Sequence, residues 1–133
     1  VLDDRIWVKT GNDRISLSLM PLYPEETDKM KLADANEFVI SAFGRCGNDD
    51  HVISDGPEYA PGITLTCITM NGKLYAETLA GSMINKAQNK AVLEFLDTEG
   101  NVISSVEKTA ENGQVVFDLP GNVASVFYHL WMD

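Results

Sequence analysis

The chain has 133 residues, of which 44% are apolar and 23% charged, so its composition is that of an ordinary globular domain and argues against disorder. Twenty Asp and Glu against ten Lys and Arg give a formal net charge of −10, which repels a phosphate backbone and excludes nucleic acid as the expected partner. No apolar run approaches the roughly 18 to 20 residues that cross a bilayer, so we predict no membrane insertion. We expect a single domain over residues 1–133.

Two-residue alternation predicts two strands at the start of the chain, over Arg5 to Lys9 and over Ile15 to Leu19. In the second strand, apolar side chains face one way and serines the other, as a half-buried strand requires. Residues 21–36 then carry two prolines and a charged stretch, and we predict a loop with at most one short helix near residues 25–35. Strand character returns from Glu37 to Phe43.

The middle of the chain is predicted to be a long connection followed by a hairpin. Residues 44–62 are polar and contain two prolines, which indicates a loop with one short strand from His51 to Ser54. The next two β-rich runs flank Asn71-Gly72, which can supply the two positive φ values of a type I′ turn. The resulting hairpin places Cys67 opposite Ala76.

The last third of the chain is predicted to be a linker followed by four strands. The linker runs from Gly81 to Lys90 and is rich in Asn, Lys and Gln. Three strands follow as a meander, over Ala91 to Leu96, Val102 to Lys108 and Gln114 to Leu119. The final strand, Val123 to Met132, is apolar on both sides, which is typical of a central strand covered on each face.

Residues 91–122 alternate strands with two tight turns, Asp97-Thr98-Glu99-Gly100-Asn101 and Ala110-Glu111-Asn112-Gly113. This order of strands and turns resembles that of immunoglobulin-like and prealbumin-like modules of bacterial surface proteins, bacterial macroglobulins and phage tail or fibre proteins. The resemblance implies an extracellular, cell-surface or virion-associated setting and carries over no functional residue, because its motifs are turns. Together with the strand spacing, it predicts an all-β, antiparallel β-sandwich, either immunoglobulin-like or jelly-roll-like.

Sequence motifs for catalysis are missing, since the chain has neither a Gly-x-Ser-x-Gly elbow nor a phosphate-binding glycine loop. It has two histidines, and neither His51 in a polar loop nor His129 in the last strand has a partner visible in the sequence. We therefore interpret His129 as a packed or surface residue and predict that the protein is not an enzyme. Cys46 and Cys67 fit no redox or zinc motif, and both a disulfide and two free thiols stay open.

Three aspartates in the middle loop, Asp49, Asp50 and Asp55, concentrate the hard oxygen ligands that calcium prefers. Their spacing is not that of an EF-hand, and a solvated acidic loop explains them without any ion. We favour the solvated loop, so no cofactor is predicted and calcium stays an alternative.

Aromatic side chains could provide a stacking platform for sugar rings. Tyr23 and Tyr59 lie in proline-bearing loops, where side chains are commonly exposed, and Trp7 lies in a predicted strand near the start of the chain. These three residues are the candidate ligand-binding set, and core packing is the competing interpretation.

We predict a non-enzymatic structural or recognition module of a secreted, cell-surface or phage-particle assembly, which binds a protein partner or glycan through loops 21–36 and 44–62. The first alternative is a carbohydrate-binding module that uses the exposed aromatic residues. The second is a small hydrolase or an enzyme accessory domain centred on His51. The identity of the partner and the oligomeric state do not follow from the sequence.

Overall fold

A computed structural model describes residues 1–23, 31–48, 52–69, 74–123 and 125–133, of which 46–48, 52–55, 57, 59, 64–69 and 74–76 are described by their backbone alone. The strands in these ranges are β1 (Ile6–Thr10), β2 (Ser16–Leu22), β3 (Glu37–Phe43), β4 (Cys46–Asn48), β5 (Val52–Ala60), β6 (Ile63–Thr69), β7 (Leu74–Ala76), β8 (Ala80–Lys86), β9 (Lys90–Leu96), β10 (Val102–Thr109), β11 (Gln114–Pro120) and β12 (Phe127–Met132).

The chain divides into two compact units. Unit 1 comprises Val1–Gly44 and Glu77–Asp133, and unit 2 comprises Arg45–Ala76. The single domain expected over residues 1–133 stays a prediction.

Unit 1 contains two antiparallel sheets, a three-stranded sheet in the order β1-β8-β11 and a five-stranded sheet in the order β10-β9-β12-β3-β2. Inward side chains of both sheets form one apolar core, since Met83 and Phe117 of the smaller sheet belong to the same buried cluster as Phe38, Leu93 and Leu130 of the larger one. The predicted all-β sandwich is therefore confirmed.

Alternation along the strands predicts which side chains enter this core. In β3, β9 and β12 every second residue is buried and the residues between are partly exposed. β12 lies between β9 and β3, so the final strand is central, as its apolar pattern indicates. Because the core covers one side of each sheet, the residues between the buried ones project from the outer side.

One prediction about unit 1 was wrong. Residues Gly81 to Lys90, expected to be a linker, contain most of β8, which is the central strand of the three-stranded sheet. β8 lacks a clear apolar alternation because it includes the exposed Gly81 and because the polar residue Asn85 is fully buried, two residues from Met83. Gly81 is required there, since a Cβ at this position would lie 1.9 Å from the carbonyl oxygen of Lys9 on β1.

Unit 2 differs from the prediction in two ways. The connection expected over residues 44–62 contains β4 and the nine-residue β5. The pairing of β5 with β6 shifts register on either side of Glu58, and such irregularities allow an edge strand to contain a proline, here Pro57. The predicted hairpin pairing is also wrong, because β6 pairs with β5 and β7 pairs with β4. Cys67 is therefore opposite Ser54, and Ala76 is opposite Cys46. The turn residues Asn71-Gly72 lie outside the described part of the chain.

Helical structure in the described ranges is limited to the 3-10 turn Leu32–Asp34, in agreement with the prediction of at most one short helix. The described chain contains no helix of the length and apolarity needed to cross a membrane. Arg5 anchors the turn by donating hydrogen bonds to the carbonyl oxygens of Leu32 and Ala35, at 2.9 and 2.7 Å. Burial raises the pKa of Asp3, but the hydrogen bonds from Arg5 outweigh burial, and the pKa is lowered overall.

The first of the two tight turns forms as its sequence predicts. The Asp97 carboxylate accepts hydrogen bonds from the backbone N–H groups of Glu99 and Asn101, at 2.9 and 2.8 Å, and Gly100 has a φ of +88°. The bonds from the Asn101 backbone and then its side chain lower the pKa of Asp97. This turn brings β10 beside β9 at one edge of the five-stranded sheet.

Candidate functional site: a histidine between two carboxylates

Three strands of unit 1 bring a histidine and two glutamates together on the outer side of the five-stranded sheet. His129 projects outward from β12, and Glu94 of β9 is its direct cross-strand partner. Glu37 is at the start of β3, and its cross-strand partner on β12 is Trp131. Trp131 is two residues from His129, so Glu37 is a diagonal neighbour of His129. Direct and diagonal neighbours on one face of a sheet are within reach of long side chains.

Both ring nitrogens of His129 are hydrogen-bonded to carboxylates. Nδ1 lies 2.8 Å from an Oε2 atom of Glu94, and Nε2 lies 2.6 Å from an Oε1 atom of Glu37. An ionised carboxylate only accepts hydrogen bonds, so both nitrogens must donate, and the ring is then the imidazolium. With both nitrogens occupied, this ring has no free lone pair for use as a general base.

The protonation of His129 follows from two opposing effects. Partial burial lowers the pKa of His129, but the hydrogen bonds to Glu94 and Glu37, together with the attraction of the two negative charges, outweigh burial and raise the pKa above its ordinary value of 6.5. The Glu37 side chain is 40% exposed and that of His129 24% exposed, so the group faces solvent and is not part of the core.

Apolar side chains surround this charged centre. Phe127 and Trp131 lie two residues to either side of His129 on β12 and project on the same side of the sheet. The Phe127 ring meets that of Phe43 edge to face, with centroids 5.9 Å apart. Phe43 is 52% exposed, and Met20 of β2 is 58% exposed. We call this surface, the outward side chains of the five-stranded sheet centred on Glu37, Glu94 and His129, the acidic face.

A second ion pair lies on the same surface. The ammonium of Lys90 is 3.0 Å from the Glu107 carboxylate of β10 and 5.7 Å from the centroid of the Trp131 ring. The acidic face thus carries three carboxylates, Glu37, Glu94 and Glu107, against the cations Lys90 and His129. Its net charge is −1 with His129 protonated and −2 with His129 neutral.

The outer side of the three-stranded sheet has a different character. Trp7, Ile84 and Val116 are opposite one another on β1, β8 and β11 and form an uninterrupted apolar row. The ammonium of Lys86 lies 5.5 Å from the centroid of the Trp7 ring, and Lys9 also projects on this side. We call this surface, centred on Trp7, Ile84 and Val116, the basic face.

The structure places the side chains of two of the three predicted ligand-binding residues, Trp7 and Tyr23. Trp7 is half-buried on the basic face, whereas Tyr23 packs against the apolar core of unit 1. For Tyr59 the structure describes the backbone alone, in β5. An exposed platform made of these three aromatic residues therefore stays a prediction.

The predicted calcium ligands fall largely outside the described residues. Asp49, Asp50 and His51 lie outside them, and Asp55 is described by its backbone, which pairs with Thr66. In the ranges where side chains are placed, no group of three or more His, Cys, Asp and Glu residues is arranged to hold a metal ion. The calcium site stays a prediction.

A cleft of about 530 Å³ in unit 1 has Arg5 and Lys86 among its lining residues. Arg5 already binds Asp3 and two backbone carbonyl oxygens, and Lys86 lies over Trp7. These contacts satisfy both cations within the protein, so we assign no ligand to the cleft.

Comparison with protein families, with curated proteins and with solved structures finds no match in any of the three. The resemblance of residues 91–122 to immunoglobulin-like and prealbumin-like modules is thus untested and stays a prediction.

Sequence reasoning singled out His129 but missed its two partners. Glu94 and Glu37 are 35 and 92 residues away in the chain, and their proximity depends on β9 and β3 flanking β12. The available signal was a charged residue at an outward position of each of two predicted strands. That signal identifies candidate surface residues but gives no strand order, so it could not pair them.

Proposed function

We propose that this protein is a non-enzymatic recognition module of a secreted, cell-surface or phage-particle assembly, and that the acidic face is its binding surface. The observation that carries this proposal is the exposure of two large apolar side chains on this face, Met20 and Phe43, each more than half exposed, with the Phe43 ring against that of Phe127. Exposed apolar side chains next to polar groups are typical of interaction sites.

The charged centre supports binding over catalysis. Both nitrogens of His129 are engaged by carboxylates, and the outer oxygens of Glu37 and Glu94 are left to accept hydrogen bonds. Because carboxylates outnumber cations on this face, its protein partner should present Lys or Arg side chains together with apolar ones. This proposal places recognition on a sheet face and not on the loops expected from the sequence.

The proposal is tested with a displayed peptide library selected on the wild-type protein. Peptides that bind the acidic face should be enriched in Lys, Arg and aromatic residues and should lose binding to the double variant Met20→Lys/Phe43→Lys. The matched control is Val116→Lys, which places the same charge at a 46% exposed position on the basic face and should retain binding.

Two results would count against the acidic face. One is selection of peptides whose binding is lost with Val116→Lys and kept with the double variant. The other is enrichment of acidic peptides, which a face with an excess of carboxylates should repel.

Carbohydrate binding is a second candidate function, favoured by the alternation of aromatic and polar groups along β12. Phe127 and Trp131 are each roughly 7 Å from His129 along the strand. Rings that can stack on sugars therefore flank the carboxylates bound to His129, whose outer oxygens can accept hydrogen bonds from hydroxyls. The variant Trp7→Phe leaves Trp131 as the sole tryptophan and makes its fluorescence a direct reporter. Hits on a glycan array that shift this fluorescence would support the candidate, and an array without hits would remove it.

A further inference from the structure

The two outer faces of unit 1 are chemically complementary. On the basic face, Lys9 and Lys86 border the apolar row, and Lys108 reaches over from β10 to donate a hydrogen bond to the Val116 carbonyl oxygen at 2.8 Å. Asp118 is the carboxylate that projects among them from β11. Lys9 and Lys86 against Asp118 give the outer side of this sheet a net charge of +1, and Lys108 adds a cation at its edge. This surface is positive in a chain whose acidic residues outnumber its basic residues two to one.

The acidic face offers the opposite charge around a larger apolar area. Its carboxylates Glu37, Glu94 and Glu107 outnumber its cations, and Met20 and Phe43 provide exposed apolar surface. Each face is the outer side of a sheet and can pack against another sheet face at about 10 Å. Apolar side chains would then meet at the centre, with lysines of one surface opposite glutamates of the other.

We propose that the partner of the acidic face is the basic face of a second copy of this chain. This inference rests on the proposed function and names its partner. The two faces lie on opposite sides of one core, so they cannot meet within a single copy. Association therefore joins the acidic face of one copy to the basic face of the next. However many copies are added, one acidic and one basic face remain unpaired at the two ends of the stack. Such heterologous contacts build open stacks, unlike the closed dimers that a self-complementary surface produces.

The dimensions of the smaller sheet limit the strength of this contact. Three strands of about seven residues cover roughly 14 by 23 Å, or about 300 Å² on each partner. A stable specific interface buries about 800 Å² on each partner. A contact of this size is weak, although buried area does not fix an affinity. We adopt a dissociation constant of about 0.1 mM as the value to be tested, and such a contact becomes effective where modules are concentrated or linked in an assembly.

Sedimentation velocity on two single-face variants tests the stack. Val116→Glu blocks the basic face by placing a carboxylate opposite the acidic face, and Met20→Lys blocks the acidic face in the same way. Both positions are about half exposed, at 46% for Val116 and 58% for Met20, so both variants should fold. Measurements are made at about 0.15 M salt, where the long-range repulsion between chains of net charge −10 is screened within about 8 Å.

The wild type should grow in average mass with concentration and exceed twice 14.6 kDa at about 1 mM. Each variant alone should remain at 14.6 kDa, and their equimolar mixture should level off at twice that mass, because it retains one acidic and one basic face. The control Val1→Glu changes an exposed valine outside both faces and should behave as the wild type.

Three results would overturn the stack: a wild type that stays monomeric at about 1 mM, a mixture that does not associate, or a single-face variant that still forms dimers. A monomeric wild type that nevertheless binds displayed peptides or glycans through Met20 and Phe43 would overturn the stack and leave the acidic face as a recognition surface.

Discussion

Each outer face of unit 1 carries one tryptophan beneath a lysine ammonium, Trp7 under Lys86 at 5.5 Å and Trp131 under Lys90 at 5.7 Å. The faces differ at the middle of their central strands. On the basic face the central residue is Ile84, which continues an apolar row from Trp7 to Val116. On the acidic face it is His129, which is bound by a carboxylate on each side.

One outward position on a central strand can therefore decide the chemistry of a whole face. The buried neighbours of both positions, Asn85 and Met83 in β8 and Tyr128 and Leu130 in β12, face the shared core and are constrained by packing. Outward residues escape that constraint, so they are free to carry charge and recognition.

A substitution in the shared core should have the largest effect, because it destabilises both faces at once. Leu130→Ala removes a fully buried side chain from the shared core and should lower the free energy of unfolding by about 3 kcal/mol. Urea unfolding is followed by tryptophan fluorescence in the backgrounds Trp7→Phe and Trp131→Phe, which report on the acidic and basic faces separately. Equal shifts of both midpoints are expected, and a shift confined to one reporter would mean that the faces unfold independently.

A smaller effect, the pH dependence of stability, should distinguish His129 from Ile84, the central residue of the basic face. Because the folded-state pKa of His129 is raised, its ion pairs contribute stability that is fully present below about pH 6.5 and is lost as the pH rises through the raised value. Glu37→Gln/Glu94→Gln should therefore cost about 1 kcal/mol near pH 6, where ordinary glutamates are ionised, and much less near pH 9.

Ile84→Val is the matched control for this pH dependence, because it changes the central position of the basic face without a titratable group. Its cost in the free energy of unfolding should be the same at both pH values. A cost of the glutamate double variant that is equally independent of pH would show that the carboxylates do not act through the imidazolium.

The smallest effect tests the feature that the two faces share. Lys86→Met and Lys90→Met should each cost about 0.5 kcal/mol, the typical value for an exposed lysine over an aromatic ring. Lys90→Met should cost slightly more, since it also removes the 3.0 Å ion pair with Glu107. Urea midpoints of the two variants provide the measurement, and stabilisation by both substitutions would contradict an attractive contact at either tryptophan.

Much of the sandwich could be predicted from alternation alone. Strands β3 and β12 combine clear apolar inward positions with β-favouring residues, and both lie in the predicted segments. The central strand β8 could not be predicted, because the close approach of β1 requires Gly81 and because the polar residue Asn85 is fully buried, and a hydrophobic pattern expresses neither.

The candidate site was predictable only in part, because it depends on which strands are neighbours. His129 was recognisable as a titratable residue in a strand, and its partners were not, since strand order in a sheet is set by the whole chain and not by local pattern. Pairing across 35 and 92 residues requires the tertiary structure.

The acidic face is organised around an imidazolium held by two carboxylates. NMR titration of the His129 ring tests this arrangement most directly, with Glu37→Gln/Glu94→Gln as the comparison. We expect a pKa above 6.5 for His129 in the wild type and a lower pKa in the double variant. A wild-type pKa at or below 6.5, unchanged by the two substitutions, would contradict it.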